Sequence, residues 1–509
     1  MADEREDTCI DECVDNLSDI PLDSDDSIIL EDNPDCAKFS SGSEIEVRRN
    51  HRTLPLPSDS EESDQDTEDV WSDFDPPKNN DDFEGLLGPN VFPKNTDKIE
   101  DFADMFIGDD LFKFIATETN KYHAQNSHKF KVYKKTAKWV DVTILELKKW
   151  FALVILMGLT KKSRINDYWS KNPLIETPIF SKTMTRNRFK QILAFIHFSD
   201  NNNVPDNADR LFKIQHIINY FSKKFQENFK PGQNISIDEG MIPRRGRLNF
   251  RVYNPSKITK YGILIRMLCD STTGYISSFK LYSGAGQSLN TTILELLAHS
   301  LGKWHHLYMD NFYNSVELSK ILLLNKIRVC GTIRRNRGLP DSLKKTKLKV
   351  FGTAFKRKGE ILLQLWKTAK SKDISMISTI HNAEIVYTGK ICRKTNRPIQ
   401  KPKCIIDYNH HMKGVDRADQ YLSYYPIYRK TIKWSKKVVL YLFNCALFNA
   451  FRVYEHLNVK STKTLKFHDF LLQLSDAWIQ GNLSDNEENL DMPTTSRGPH
   501  HDSTQNLVT

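Results

Sequence analysis

The chain has 509 residues, 39% of them hydrophobic, with 73 Lys and Arg against 64 Asp and Glu and a formal net charge of +9. That length and apolar content suit about two to four domains with real cores and exclude a chain that is disordered throughout. Eight cysteines without a C-x-x-C pair argue against a disulfide framework and for a reducing compartment.

Residues 1–80 carry 25 acidic against 6 basic side chains, a net −19, and the remainder carries 67 basic against 39 acidic, a net +28. A basic body of this kind predicts a polyanionic partner, with nucleic acid the best fit, and the acidic segment is a candidate shield for it. The opening "MADEREDTCI" is neither a secretory signal nor a basic transit peptide. "WFALVILMGL" at 150–159 and "VVLYLFNCALFNAF" at 438–451 are too short or too interrupted by Asn for a bilayer span, so buried helices and no membrane partner are expected.

In chain order, residues 1–95 read as a disordered acidic tail, rich in Asp, Glu, Ser and Pro. Within it, "PSDSEESDQDTED" sets Ser58 and Ser60 before acidic residues, a pattern for acid-directed phosphorylation. Residues 96–232 are helical in texture: "DLFKFIATETNKYHAQN", "TILELKKWFALVILMGL" and "TRNRFKQILAFIHF" space apolar residues by three and four, with Asp141, Thr143, Thr183 and Thr185 as candidate caps. From 233 strands take over. "NISID" reads as a short strand ending at the pair Asp238 and Glu239, "YGILIRMLCD" and "GYISSFKLYSG" as two more, "TTILELLAHSLG" as a helix, and "HHLYMDN" as a strand ending on Asp310. Short strands between charged turns predict an all-β insertion over 342–402. Residues 403–425 return to the core, 426–480 are helical again, and 481–509 are a loose polar tail.

Three acidic sites stand out: Asp238, Asp310, and Asp416 with Asp419, the last two sharing a helix face at a spacing of three. After Asp238 and Glu239 no acidic residue appears until Asp270, while Arg244, Arg245, Arg247, Arg251, Lys257, Lys260 and Arg266 intervene. Carboxylates arriving from distant segments can hold Mg²⁺ or Mn²⁺, which inverts the sign of the site and lets it accept a phosphodiester. The alternative is that strand-end Asp residues only cap turns.

The blocks "SIDEGMIPRRGRLNFRVYNPSKITKYGI", "YMDNFYNSVEL" and "DYNHHMKGVDRADQ", in that order, resemble the signature blocks of the piggyBac family of DDE transposases, and the similarity runs from about 96 to 475. The resemblance implies an α/β fold: an RNase H-like catalytic core in two parts, 233–341 and 403–425, interrupted by the β-rich insertion. A mainly helical DNA-binding and dimerisation domain, 96–232 and 426–480, would flank it. It implies Asp238, Asp310 and Asp416 as catalytic, metal-binding residues with Asp419 as a further metal ligand. Asp407 lies nearby but before the helix and does not match the family position. The implied chemistry is metal-dependent nicking, hairpin formation and strand transfer at TTAA, by a nuclear homodimer on double-stranded DNA, without a small-molecule substrate. Candidate phosphate contacts are Arg244, Arg245, Arg247, Arg251, Lys257 and Lys260, then Arg334, Arg335 and Arg337, then Lys433, Trp434, Lys436 and Lys437. No cysteine follows Cys445, so the family's cysteine-rich C-terminal module, and with it zinc, is not expected here. That departure keeps a second reading open, a domesticated nuclear DNA-binding protein that does not transpose.

Overall fold

The computed structural model describes residues 71–78, 80–126, 138–202, 204–206, 208–246, 248–254, 257, 259–284, 287–368, 372–391, 398–427, 433–459 and 464–481. The readings of Ser58, Ser60 and Arg247 lie outside the described residues.

The elements run β1 (Gly88–Pro89), α1 (Ile99–Asp104), α2 (Asp109–Asn126), α3 (Ile144–Leu159), α4 (Pro178–Thr183), α5 (Arg186–Phe195), α6 (Gln215–Asn228), β2 (Phe229–Lys230) and β3 (Asn234–Pro243). Then come β4 (Val252–Tyr253), β5 (Tyr261–Asp270), β6 (Ile276–Leu281), α7 (Leu289–Leu297), β7 (His305–Met309), α8 (Val316–Leu324), β8 (Ile327–Thr332) and α9 (Asp341–Lys344). The rest is β9 (Thr353–Lys358), β10 (Ile361–Lys367), β11 (Asp373–Ser378), β12 (Ile385–Ile391), β13 (Pro398–Pro402), α10 (Lys403–His411), α11 (Gly414–Tyr424), α12 (Trp434–Leu457) and α13 (Phe467–Gln480).

Two helix starts follow their caps: Thr143 accepts from the Glu146 amide at 3.2 Å and Thr185 from the Arg188 amide at 3.3 Å. Helix α3 is apolar nearly all round and is correspondingly buried, with Phe151 stacked 4.3 Å from Phe443 of α12. Helix α12 is covered along almost its whole length. Its Asn449 closes a two-bond pair with the backbone of Ile276 (2.9 and 2.8 Å), so the polar group inside the apolar run is satisfied and fixes the helix to β6. No described helix is long and apolar enough to cross a membrane.

Nine strands form one sheet in the order β4-β5-β3-β7-β8-β11-β10-β9, with β6 also on β5. Pairings β3–β7 and β7–β8 are parallel and the others antiparallel. One sheet face packs on the helical section, and the other buries α7 and α8 through Ile293, Leu297, Leu318 and Leu322.

Two expectations are corrected. "NISID" is half of a ten-residue strand, because β5 pairs with it on past the acidic pair, from Ile235 to Pro243. The strands of 342–402 are placed as follows: β11 adds to the free edge of β8, so β9, β10 and β11 extend the main sheet, and β12–β13 forms a small hairpin. Disorder through residue 95 fails from residue 71 onward. There Ser72 exchanges two 2.8 Å backbone hydrogen bonds with Arg357, and Asp73, Asp75, Asp81 and Glu84 pair with Lys356, Arg357, Arg328 and Lys326. Acidic composition forbids folding only where the charges go unmatched, and here the sheet supplies the cations.

Candidate active site

Parallel register brings the first two carboxylates together. Met309 of β7 is paired with Ile237 of β3, so Asp310, just past the end of β7, comes beside Asp238 within β3. Strand β7 stops there while β3 runs on beside β5 alone, which opens the sheet at this point, as at the strand ends where α/β folds place ligands. Helix α11 crosses the opening. A Cβ at Gly414 would stand 2.5 Å from Ser236 Oγ and 2.9 Å from the Asp270 carbonyl, so only glycine lets the helix seat this closely. Asp416 and Asp419 are thereby carried over β3, where Asp419 Oδ1 is 3.1 Å from the Cβ position of Gly240.

Charge is crowded in this space. Burial, then the Asp238 charge, raises Glu239 well above the ordinary glutamate range, although its carboxylate accepts a hydrogen bond from the Tyr313 hydroxyl. Desolvation likewise raises Asp419 to about 7, with Asp238 and Asp416 adding to it and Lys257 opposing. Asp310 is raised by burial, against a 2.9 Å hydrogen bond from the Phe312 amide. Asp416, open to solvent at the rim, is raised by partial desolvation and then by Asp238. The one cation at hydrogen-bonding range of Asp238 among the described residues is Lys257, its Nζ 3.5 Å from Oδ2.

The donor set is all carboxylate oxygen, which suits a hard divalent ion. Its spacing does not yet form a ligand set: among the described residues no three His, Cys, Asp or Glu side chains are gathered closely enough to hold a metal ion.

Asp407 is turned elsewhere, 2.7 Å from His381 Nε2, which withdraws it from the third acidic position. Asp270 closes its own turn through the amides of Thr272 and Thr273. The sequence reading missed Asn314, fully buried, whose Nδ2 donates to the carbonyls of Met309 (2.8 Å), Asp310 (3.1 Å) and Thr332 (2.9 Å) and so ties the ends of β7 and β8 together. It also missed Tyr313. Both lie inside the block "MDNFYNS", and their buried, polar character is the signal that was available.

The basic candidates divide. Arg245, Arg251 and Lys260 are exposed, and Arg251 lies over the Tyr261 ring at 5.4 Å. Arg334 sits beside the site, its Nε 3.3 Å from Asn311 Oδ1. Arg335 is engaged by Asp373 at 3.0 Å, Arg244 is half-buried, and Lys433 is exposed beside Tyr122. Lys436 and Lys437 are buried, and the Lys436 ammonium donates to carbonyls of α5, so it is not a phosphate contact. Trp434 packs against Phe250.

Residues 101–451 match the family model described as Transposase IS4. This chain belongs to the piggyBac-type IS4 transposase family. The human PiggyBac transposable element-derived protein 2 is 24% identical over 375 residues, covering 69% of this chain and 60% of its own length. The human protein 3 of that name is 25% identical over 388 residues, 72% of this chain and 63% of its own. The chain thus spans about three fifths of these relatives. A solved piggyBac transposase synaptic complex with hairpin DNA superimposes with a TM-score of 0.67 at 26% identity, covering 81% of this chain and 90% of that one. All three blocks of the piggyBac resemblance begin within the matched span.

Proposed function

We propose that the chain is a DDE-type DNA transposase with an RNase H-like core, which cuts and joins DNA strands at TTAA in the nucleus as a homodimer. The observation that supports this is the register that sets Asp238 beside Asp310, with α11 bringing Asp416 and Asp419 over the same opening. Mg²⁺ or Mn²⁺ held by Asp238, Asp310 and Asp416, backed by Asp419, would supply Lewis-acid activation of the attacking oxygen. The protein's own part is positional. Asn314 and Gly414 fix the strand ends and the helix, while Arg334, Arg245, Arg251 and Lys260 lie where phosphates would be held in line. In the first step a water oxygen attacks the phosphorus and the 3′-oxygen leaves as a hydroxyl. That hydroxyl then attacks the opposite strand, and the solved relative's hairpin DNA is in keeping with this second step.

A second reading is favoured by the relatives' names, which call them transposable element-derived: a domesticated DNA-binding protein without strand chemistry. Labelled duplexes carrying TTAA, incubated with the full chain and Mn²⁺ and resolved on denaturing gels, separate the two. Nicks and hairpins that vanish in Asp238→Ala and Asp310→Ala support the transposase; tight binding without products supports the domesticated protein.

A further inference from the structure

Lys257 is the residue whose position fits neither of the roles considered so far. A lysine that meets a DNA phosphate keeps its ammonium in solvent, yet here the side chain is only 24% exposed and points inward to Asp238, itself 17% exposed, at 3.5 Å. The charges of Asp238, Asp419, Glu239 and Asp416 all act on that ammonium. Of the other cations of the same run, Arg245 and Lys260 are exposed, and Arg251 donates to the Arg245 carbonyl at 2.7 Å.

Carboxylates without a cation repel one another, and an ammonium at hydrogen-bonding distance from Asp238 offsets part of that repulsion. A divalent ion held through Asp238 would compete with that ammonium for the same carboxylate. We propose that Lys257 is the resident counter-cation of the site, neutralising part of the carboxylate charge at Asp238 in the place a divalent ion would take and leaving when such an ion enters. A flexible four-carbon stem with a point charge can swing out at little cost, which a planar, fork-bonded guanidinium does less readily. The inference rests on the metal-dependent reading above, and it adds that loading the site is a competition between one lysine and one divalent ion.

The test is calorimetric titration of Mn²⁺ into the metal-stripped full chain, without DNA, for wild type, Lys257→Met and Lys257→Arg. Melting temperatures are recorded in EDTA and in Mn²⁺. Lys257→Met should bind Mn²⁺ about tenfold more tightly or better. It should also melt lower than wild type in EDTA and recover in Mn²⁺, while Lys257→Arg stays within a few-fold of wild-type affinity. Equal affinity in wild type and Lys257→Met, or weaker binding in the variant, overturns the role of Lys257 and leaves the metal reading standing. Absence of Mn²⁺ binding in all three proteins overturns both.

Discussion

At position 436 a lysine in the basic run "KWSKK" is withdrawn from solvent to serve a helix end. Its ammonium donates to the carbonyls of Leu193 and, at 3.0 Å, Ala194. Both lie in the last turn of α5, where backbone acceptors have no partner within the helix and the dipole is negative. Burial, with Lys433 adding, pushes the amine down to about 7. The unfolded chain would hold that proton to about pH 10.4. Between those values the unfolded state binds more protons, so the folded state gains from rising pH. Wild type should therefore gain stability relative to Lys436→Met from pH 7 to pH 10, by on the order of 1–3 kcal/mol, with no further change below pH 7. Paired thermal or urea melts across that range check it, and a flat difference would mean the amine titrates like a free lysine. Such a residue cannot be told from a DNA contact by its neighbours in sequence, because its partners are nearly 250 positions away.

Among elements, the ordered segment 71–92 ties parts of the fold that are far apart in sequence. Buried Arg328 lies 4.8 Å over the Trp304 ring, is held by Asp81 and Glu360, and donates to the Thr379 carbonyl at 2.8 Å. Buried Arg357 is paired with Asp75 at 2.7 Å and donates to the His381 carbonyl at 2.9 Å. Removing Asp75 strands buried Arg357, whereas Arg328 keeps Glu360 when half-exposed Asp81 is removed, so Asp75→Ala with Asp81→Ala should cost about 3 kcal/mol, most of it from Asp75. Asp73→Ala, whose carboxylate is 78% exposed beside Lys356, should cost under about 0.5 kcal/mol. Hydrogen exchange of the Ser72 and Arg357 amides, which bond each other's carbonyls, should quicken in the double variant and stay slow in Asp73→Ala. Helices such as α3 and α12 were legible because their apolar periodicity is local. The full length of β3, the docking of β11 on β8 and the order of this segment were not, since each is settled by a partner the local pattern does not contain.

Over the whole molecule, the candidate acids were legible because their blocks resemble a family and because Asp310 follows a strand end and Asp416 lies in the first turn of a helix. The direction in which each cation points was not. Lys257, Arg251 and Lys436 read alike in sequence, but one faces carboxylates, one an aromatic ring and one a helix end. This matters for how the net +28 of residues 81–509 is used, since only cations left in solvent can release counterions from DNA. Arg245, Arg251 and Lys260 are exposed along the segment that follows the acidic pair. Each phosphate neutralised contributes about −0.9 to the slope of log K against log salt. Binding of a TTAA-bearing duplex should therefore weaken steeply with salt, and replacing all three by alanine should make the slope shallower by about 2–3. Because such contacts position the backbone without reading bases, the loss should be the same for a scrambled duplex. Lys436→Ala should leave the slope unchanged, its amine being spent inside the fold. Fluorescence anisotropy at four or five salt concentrations gives both slopes. A triple variant with the wild-type slope would show that DNA lies on another face, with the carboxylate opening served from elsewhere.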